Sequence, residues 1–307
     1  MNWFIVALGA PFVWSLVNHC DKIILQRYFK TSGGPGGLMV FVGVVAIPLS
    51  LILYIFDPSV LNIDTIDITF LIITGFLYNL AVLFSLYALE SEDASSVVAY
   101  MQLIPVFTYF FGILFLSEYI TTDKAFGGII ALFGAILLST KFEKGFKKAI
   151  FNKRIILLML GWAVMASLGN ILFKKVSISD SSFVLSLFWN QIGMALFGIM
   201  AFCISSYRKS FLKVIKHNST NVVLLNIFEQ IVEVVGIILN YAAILLAPTA
   251  LVILVEYTAQ PLFVFIEGII FTILFPKFVA EDISKGNLIQ KFISMIIMGV
   301  GLYMITN

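Results

Sequence analysis

Four glutamates interrupt two long apolar stretches in the second half of the chain. Glu229 and Glu233 lie one helical turn apart in the first stretch, and Glu256 and Glu267 lie in the second. A charged side chain at the centre of a bilayer costs about 2.5–3.5 kcal/mol, so an acid there marks a functional site by default. Burial disfavours the charged form of a carboxyl group, and a neighbouring like charge disfavours it further. The four residues are therefore predicted to include groups that exchange protons near neutral pH.

We hypothesise that Glu233, the most central of these acids, couples proton movement to solute movement with Glu229 or Glu256 as its partner. Two other interpretations stay open from the residues alone. The carboxylates could bind a solute of complementary charge. They could also be neutral groups that only hold helices together through hydrogen bonds to Asn and Gln side chains.

The acids belong to two narrow polar stripes that are predicted to wall a water-filled cavity. At 100° per residue, the first stripe covers about a third of its helix circumference and the second about 40°. Apolar residues occupy the remaining faces, so the stripes should face the protein interior and not lipid. The first stripe contains Asn226, Glu229, Gln230, Glu233 and Asn240, and the second contains Glu256, Gln260 and Glu267.

Polar and aromatic residues in other apolar stretches are candidates for lining the same cavity. Two aromatic residues, Trp14 and Tyr100, are the candidates for stacking against a substrate. For each of the amides, a helix–helix hydrogen bond is the competing interpretation. These further candidates are Trp14, Asn18, Asn79, Tyr100, Gln102, Asn170, Asn190 and Gln191.

The composition indicates that the chain carrying these residues is a membrane protein. Of 307 residues, 61% are hydrophobic and only 12% are charged, with a mean hydropathy of +1.05, whereas soluble domains carry about 25% charged residues. A helix needs about 20 apolar residues to cross the hydrocarbon core. Ten segments qualify, at residues 3–21, 37–56, 68–89, 94–116, 124–140, 155–173, 183–205, 221–246, 249–275 and 288–305.

A short polar pattern near the start of the chain recurs 152 residues later. Because each half has five predicted spans, an odd number, the second half should enter the membrane from the opposite side. Such inverted repeats let a site at the membrane midplane open alternately to each face. The pattern consists of Ser15, Leu16, Asn18 and Lys22 in the first half and Ser167, Leu168, Asn170 and Lys174 in the second.

The predicted fold class is an all-α polytopic membrane protein whose ten transmembrane helices form two inverted five-helix repeats. The first repeat occupies residues 1–140, a basic linker residues 141–154, and the second repeat residues 155–307. Lys22 and Lys174 should end their spans at opposite membrane surfaces, where long basic side chains extend to the headgroups.

The distribution of basic residues predicts an orientation in the membrane. Sixteen of the 19 Lys and Arg residues lie in the odd-numbered connections between spans, and three lie in the even-numbered ones. Because basic loops stay in the cytoplasm, this count places both termini outside. We expect a multi-pass protein of the plasma membrane.

The stretch from Leu103 to Phe107, LIPVF, is followed by Glu118 and by glycines at 127, 128 and 134. Together with Trp14, Asn18 and Lys22 near the start, this pattern resembles a tandem EamA-domain permease of the drug/metabolite transporter superfamily. The resemblance implies a carrier for amino acids or related metabolites, with both termini in the cytoplasm, opposite to the charge count. The second half departs from the pattern, because Leu274-Phe275-Pro276-Lys277 replaces the acid expected there.

The expected function is a secondary transporter of small polar metabolites, amino-acid-like and neutral or cationic, working as an exporter by alternating access. The partners are a small-molecule substrate, the lipid bilayer and protons, with no nucleic acid, cofactor or metal. An integral-membrane enzyme and a non-transporting assembly protein are the alternatives. The enzyme is disfavoured because no His-Glu-x-x-His motif is present and the only histidines are His19 and His217.

Overall fold

The computed structural model describes residues 3–29, 34–91, 97, 100–139, 153–179, 182–217, 220–274 and 285–306. Within these ranges the fold is all-helical, as predicted. A short 3-10 helix, Pro58–Leu61, connects the second and third α-helices. The α-helices are α1 (Trp3–Arg27), α2 (Gly34–Phe56), α3 (Thr65–Ser91), α4 (Ile104–Leu116), α5 (Thr122–Ser139), α6 (Lys153–Ser177), α7 (Phe183–Cys203), α8 (Ser205–His217), α9 (Thr220–Leu246), α10 (Thr249–Leu274) and α11 (Lys285–Thr306).

The described part of the chain contains nine helices that are long and apolar enough to cross a membrane. Large apolar side chains such as Ile55, Phe56 and Ile273 are more than 70% exposed, which suits contact with lipid and not with water. The prediction of a polytopic membrane protein is confirmed. Ten spans in two inverted repeats stay a prediction.

Two predicted segments fall partly outside the described residues. The predicted fourth span, 94–116, is represented by α4, which begins at Ile104, and most residues between 92 and 99 are not described. The predicted basic linker, 141–154, is described only from residue 153, where α6 begins.

Helices from the two halves of the chain pack against one another. α1 lies against α9 and α10, and α6 lies against α3 and α4. α2 packs on α7, and α5 packs on α11. α10 is the most enclosed of these spans, because 78% of an 18-residue apolar stretch within it is buried. This interlocked packing places the polar stripes of α9 and α10 inside the bundle.

Candidate functional site

A cavity of about 70 Å³ lies between helices of both halves. Its lining includes side chains from α1, α2, α3, α6, α7, α9 and α10. The polar and aromatic part of the lining consists of Trp14, Asn18, Asp21, Tyr78, Asn79, Ser85, Trp162, Glu229, Gln230, Glu233, Tyr257 and Gln260. Small-molecule sites occur between the helices of bundles, where a few polar groups stand among apolar ones, as in this lining.

Three carboxylates line this cavity, and we call them the acid cluster: Asp21, Glu229 and Glu233. Asp21 and Glu229 are 8% and 2% exposed, and Glu233 is half-buried. The described lining contains no Lys or Arg. The three carboxyl groups repel one another electrostatically when charged. The cluster therefore favours a cation or protons over an anion.

Neutral donors from neighbouring side chains hold the two glutamates of the acid cluster. The Tyr78 hydroxyl on α3 donates to Glu233 Oε1. Gln230 Nε2 donates to Glu229 Oε2 at 2.6 Å. These contacts orient the carboxylates without neutralising them, so each group keeps the capacity to take up a proton or to contact a cation.

Helical spacing brings the α1 and α9 residues to the cavity. Trp14, Asn18 and Asp21 follow the spacing of four and three residues that places side chains on one helix face. Glu229 and Glu233 are one turn apart on α9, which packs directly on α1. The cluster is therefore assembled from both halves of the chain.

Aromatic rings form another wall of the cavity. The ring centroids of Trp14 and Tyr257 are 6.2 Å apart, and those of Trp162 and Tyr257 are 5.5 Å apart with an interplanar angle of 73°. A Cβ atom at Gly236 would lie 2.4 Å from Trp14 Nε1, so glycine allows the indole to lie this close to α9.

Two donors on α1 have no partner among the described residues. Trp14 Nε1 and Asn18 Nδ2 are buried without a hydrogen bond, and both side chains line the cavity. Trp14 is only 6% exposed. A buried donor without a partner costs about 1–3 kcal/mol. A ligand that offers an acceptor atom would satisfy these groups.

The structure brings together seven of the sixteen residues predicted to wall or line the cavity. They are Trp14, Asn18, Asn79, Glu229, Gln230, Glu233 and Gln260. Gln102 lies next to this lining, because its Nε2 donates to the Tyr257 carbonyl at 2.9 Å. Tyr100 is half-buried and outside the lining.

Other amide candidates lie in contacts between helices. Asn190 Nδ2 donates to Thr74 Oγ1 at 2.8 Å and to the Tyr241 hydroxyl at 3.1 Å. Asn240 Nδ2 donates to Asn170 Oδ1 at 2.9 Å and joins α9 to α6. These contacts fit the helix-packing interpretation. The remaining amide, on Gln191, is buried on α7 and its two polar side-chain atoms have no partner within the described ranges.

The two acids of α10 lie outside the cavity lining. Glu256 is 1% exposed, and neither of its carboxyl oxygens has a hydrogen-bond partner among the described residues. Glu267 Oε1 accepts a hydrogen bond of 2.7 Å from Ser15 Oγ on α1. Neither acid faces lipid, as the stripe pattern predicted, but only Glu229 and Glu233 join the acid cluster.

Asp21 is the functional candidate that sequence reasoning missed. It lies near the end of the first apolar stretch, where an acid is expected to lie at the membrane surface. Its spacing from Trp14 and Asn18 is the signal that could have identified it, because all three fall within about 60° on a helical wheel. Tyr78, Trp162 and Tyr257 carry no comparable signal, since aromatic residues are frequent throughout the chain.

A buried ion pair is the second feature that the sequence did not predict. Lys174 Nζ lies 2.5 Å from Glu118 Oε1 and donates to the Ala247 carbonyl at 2.7 Å. Lys174 is 8% exposed. The expectation that its side chain extends to the lipid headgroups is therefore wrong. The pair joins the end of α4 to α6 and to the connection before α10.

An all-helical, multi-pass membrane protein with an internal polar cavity is the class that these observations define. The model of the EamA-like transporter family matches residues 1–140. An uncharacterised protein of Methanocaldococcus jannaschii is 33% identical over 100 residues, which are 33% of this chain and 73% of that protein. A protein of known crystal structure shares the fold at a TM-score of 0.65 and 14% identity, covering 98% of this chain and 95% of that chain.

The chain belongs to the EamA-like transporter family. It is a multi-pass membrane transporter of the drug/metabolite transporter kind, consistent with a place in the plasma membrane.

Proposed function

We propose that this protein is a secondary carrier that exports small polar solutes, neutral or cationic and amino-acid-like, in exchange for protons. The observation that carries the proposal is the acid cluster in a cavity whose described lining holds no Lys or Arg. An anionic solute would meet three carboxylates there. A solute with an ammonium group would meet groups of opposite charge.

The lining offers complementary contacts to both ends of an amine-bearing metabolite. Its ammonium group would lie against Asp21, Glu229 and Glu233, where charge-assisted hydrogen bonds are strongest. The faces of Trp14 and Tyr257 would add cation–π attraction. The unpartnered donors Trp14 Nε1 and Asn18 Nδ2 would bind an acceptor atom, such as a carbonyl, hydroxyl or carboxylate oxygen.

Proton coupling follows from competition for the same carboxylates. Repulsion within the acid cluster favours retention of a proton when no solute is bound. Arrival of an ammonium group replaces that proton as the positive charge in the cavity, so binding of the solute releases a proton. Glu233, held by Tyr78, and Glu229 are the proposed exchange groups, with Glu256 and Glu267 as further proton sites on α10.

The pairing of helices supports alternating access by two inverted repeats. In this symmetry, the helices of the first half, α1 to α5, correspond in order to α6, α7, α9, α10 and α11. Exchanging the two halves then turns the contacts of α1 with α9 and α10 into contacts of α6 with α3 and α4, and both sets of contacts are present. The α2–α7 and α5–α11 contacts convert into themselves. This is the symmetry expected of a carrier whose two halves exchange conformations around a midplane site.

A carrier is favoured over a membrane enzyme by the chemistry of the lining. The described lining contains no His or Cys. Its one serine is Ser85, whose hydroxyl group donates to the Val82 carbonyl at 2.8 Å. No serine, threonine or cysteine nucleophile paired with a base is therefore present in that lining.

Counterflow into reconstituted vesicles tests the proposal. We expect saturable uptake of labelled amino acids or amines by wild-type protein without ATP, with a rate that depends on pH. Glu233→Gln should lower the rate at least tenfold and remove the pH dependence, because the amide cannot exchange a proton. The exposed Glu90 provides the matched control, since Glu90→Gln removes the same charge outside the cavity and should leave both quantities unchanged.

The outcomes separate the parts of the proposal. Absence of counterflow for every solute tested would contradict the carrier function. Full activity of Glu233→Gln with an unchanged pH profile would remove Glu233 from proton coupling. A preference for anionic solutes in the wild type would contradict the role of the acid cluster.

A further inference from the structure

Helix α8 is the one described helix that is polar overall, and the proposed transport function does not use it. It has 13 residues, so it is roughly 20 Å long at 1.5 Å per residue. It is not among the helices that could cross a membrane. Ile204 lies between α7 and α8 in an extended conformation (φ −76°, ψ 117°), so the chain changes direction where it leaves the span.

One face of α8 is fixed against the spanning helices. Ser210, Phe211 and Val214 are 3%, 8% and 1% exposed. The Phe211 ring packs on Phe41 of α2 at a centroid distance of 4.8 Å. The spacing of three and four residues among the buried positions is that of an amphipathic helix.

Tyr207 adds a second contact with α2 and extends this buried face to α3. A Cβ atom at Gly36, in the first turn of α2, would lie 2.3 Å from ring carbons of Tyr207, so the tyrosine fills the space that glycine leaves. The Tyr207 and Tyr87 hydroxyl groups are 2.8 Å apart, which connects α8 to the end of α3. α8 is therefore packed against both α2 and α3.

The opposite face of α8 is basic. Arg208, Lys209, Lys213 and Lys216 are exposed, and they fall within an arc of about 140° centred opposite the buried residues. The helix contains no acidic residue. At one edge of the basic arc, Ile204 and Ile215 are 47% and 41% exposed, which leaves an apolar strip between the basic and the buried faces.

We propose that α8 is a binding site for the headgroups of anionic phospholipids. A helix with a buried face, an apolar strip and a basic face matches the boundary between protein, acyl chains and headgroups. Ile204 and Ile215 contact the acyl region, and the basic face contacts the phosphates. Of the two orientations that the sequence leaves open, the one predicted by the charge count places this connection at the cytoplasmic leaflet, which carries a negative surface potential.

Binding of a fluorescent phosphatidylglycerol analogue to purified protein in neutral detergent, followed by anisotropy, tests this site. Each basic residue near an anionic lipid surface contributes about a fivefold change in affinity. Lys209→Gln/Lys216→Gln should therefore weaken binding about 25-fold. Lys209→Arg/Lys216→Arg keeps the charges and should bind within twofold of wild type. Lys124→Gln/Lys175→Gln removes the same charge away from α8 and should also change affinity less than twofold.

Three results would overturn the proposal. One is an unchanged affinity in the Lys209→Gln/Lys216→Gln variant, and another is an equal loss in the Lys124→Gln/Lys175→Gln control. Displacement of the lipid by an equal concentration of inorganic phosphate would assign the site to a free anion instead. Ile215→Ser keeps every charge and should weaken binding of the lipid several-fold, because only a lipid contacts the apolar strip. None of these measurements depends on transport.

Discussion

Carboxylates occur in two contrasting settings in this protein. Glu118 is paired with Lys174 at 2.5 Å, and its Oε2 accepts the backbone N–H of Thr249 at 2.7 Å. The acid cluster of Asp21, Glu229 and Glu233 has no cationic side chain in the described cavity lining. The charge of Glu118 is thus compensated within the fold, whereas the charge of the cluster requires protons or a bound cation.

The contrast separates an acid that holds the structure together from acids that are available to a ligand. Glu118 and Lys174 join α4, α6 and the start of α10, where the helix dipole also favours a negative charge. The acid cluster stabilises the fold much less than this ion pair does, because like charges in one cavity oppose folding. Mutations at the two sites should therefore affect different quantities.

The largest expected effect is on stability, at Lys174. Lys174→Met leaves the Glu118 carboxylate buried without its cation, and removing one partner of a buried pair costs about 3–5 kcal/mol. We expect the free energy of unfolding to fall by about 3 kcal/mol, since both side chains keep slight exposure of 10% and 13%. Titration with SDS in mixed micelles measures this change.

Two variants sharpen the interpretation of the Lys174 result. Lys175→Met removes an exposed neighbouring charge and should change stability by less than about 0.5 kcal/mol. Lys174→Met combined with Glu118→Gln removes both charges, while the Gln oxygen still accepts from Thr249 N–H. The double variant should recover at least half of the lost stability. Equal losses in the single and double variants would show that the ion pair does not hold this region.

The next effect is on transport, at Asp21. Asp21→Asn removes one charge of the acid cluster from the α1 side while keeping the size of the side chain. We expect the KM for a cationic solute to rise about 10- to 100-fold, as for loss of a buried charge contact worth roughly 2 kcal/mol. The free energy of unfolding should stay the same or increase, because repulsion within the cluster is reduced.

Counterflow and unfolding of the same Asp21→Asn preparation measure both quantities. Asp67→Asn, in the first turn of α3 outside the cavity, is the matched control and should leave KM unchanged. A loss of stability with an unchanged KM would place Asp21 with Glu118, among the acids that hold the structure together.

Local sequence patterns could predict part of this site, but long-range pairings could not be predicted. The stripe on α9 identified Glu229 and Glu233, because isolated acids in an apolar helix must face the interior. The partner of Lys174 depends on how α4 packs on α6, and nothing near Lys174 in sequence indicates Glu118. Similarly, spacing placed Glu256 on the same stripe as Gln260, but whether either residue reaches the cavity depends on the neighbouring helices.

Glu267 is the intermediate case, and it carries the smallest expected effect. It lies outside the cavity lining and accepts one neutral hydrogen bond, from Ser15 Oγ at 2.7 Å. Interhelical hydrogen bonds in membranes contribute about 0.6 kcal/mol on average. Ser15→Ala should therefore lower the free energy of unfolding by about 0.5–1 kcal/mol, measured by SDS titration, without changing the KM for a cationic solute.

Ser50→Ala is the matched control for the Ser15 variant. Both hydroxyl oxygens lie within hydrogen-bond distance of a carbonyl three residues earlier in their own helix, Ser15 at 2.7 Å from Phe12 and Ser50 at 2.8 Å from Ile47. Ser15 alone of the two also contacts a carboxylate, so the difference between the variants isolates the bond to Glu267. Equal stabilities would show that this bond contributes nothing. A raised KM in Ser15→Ala would instead connect Glu267 to the acid cluster through α1, and three acids on α9 and α10 would then act on the solute together with Asp21.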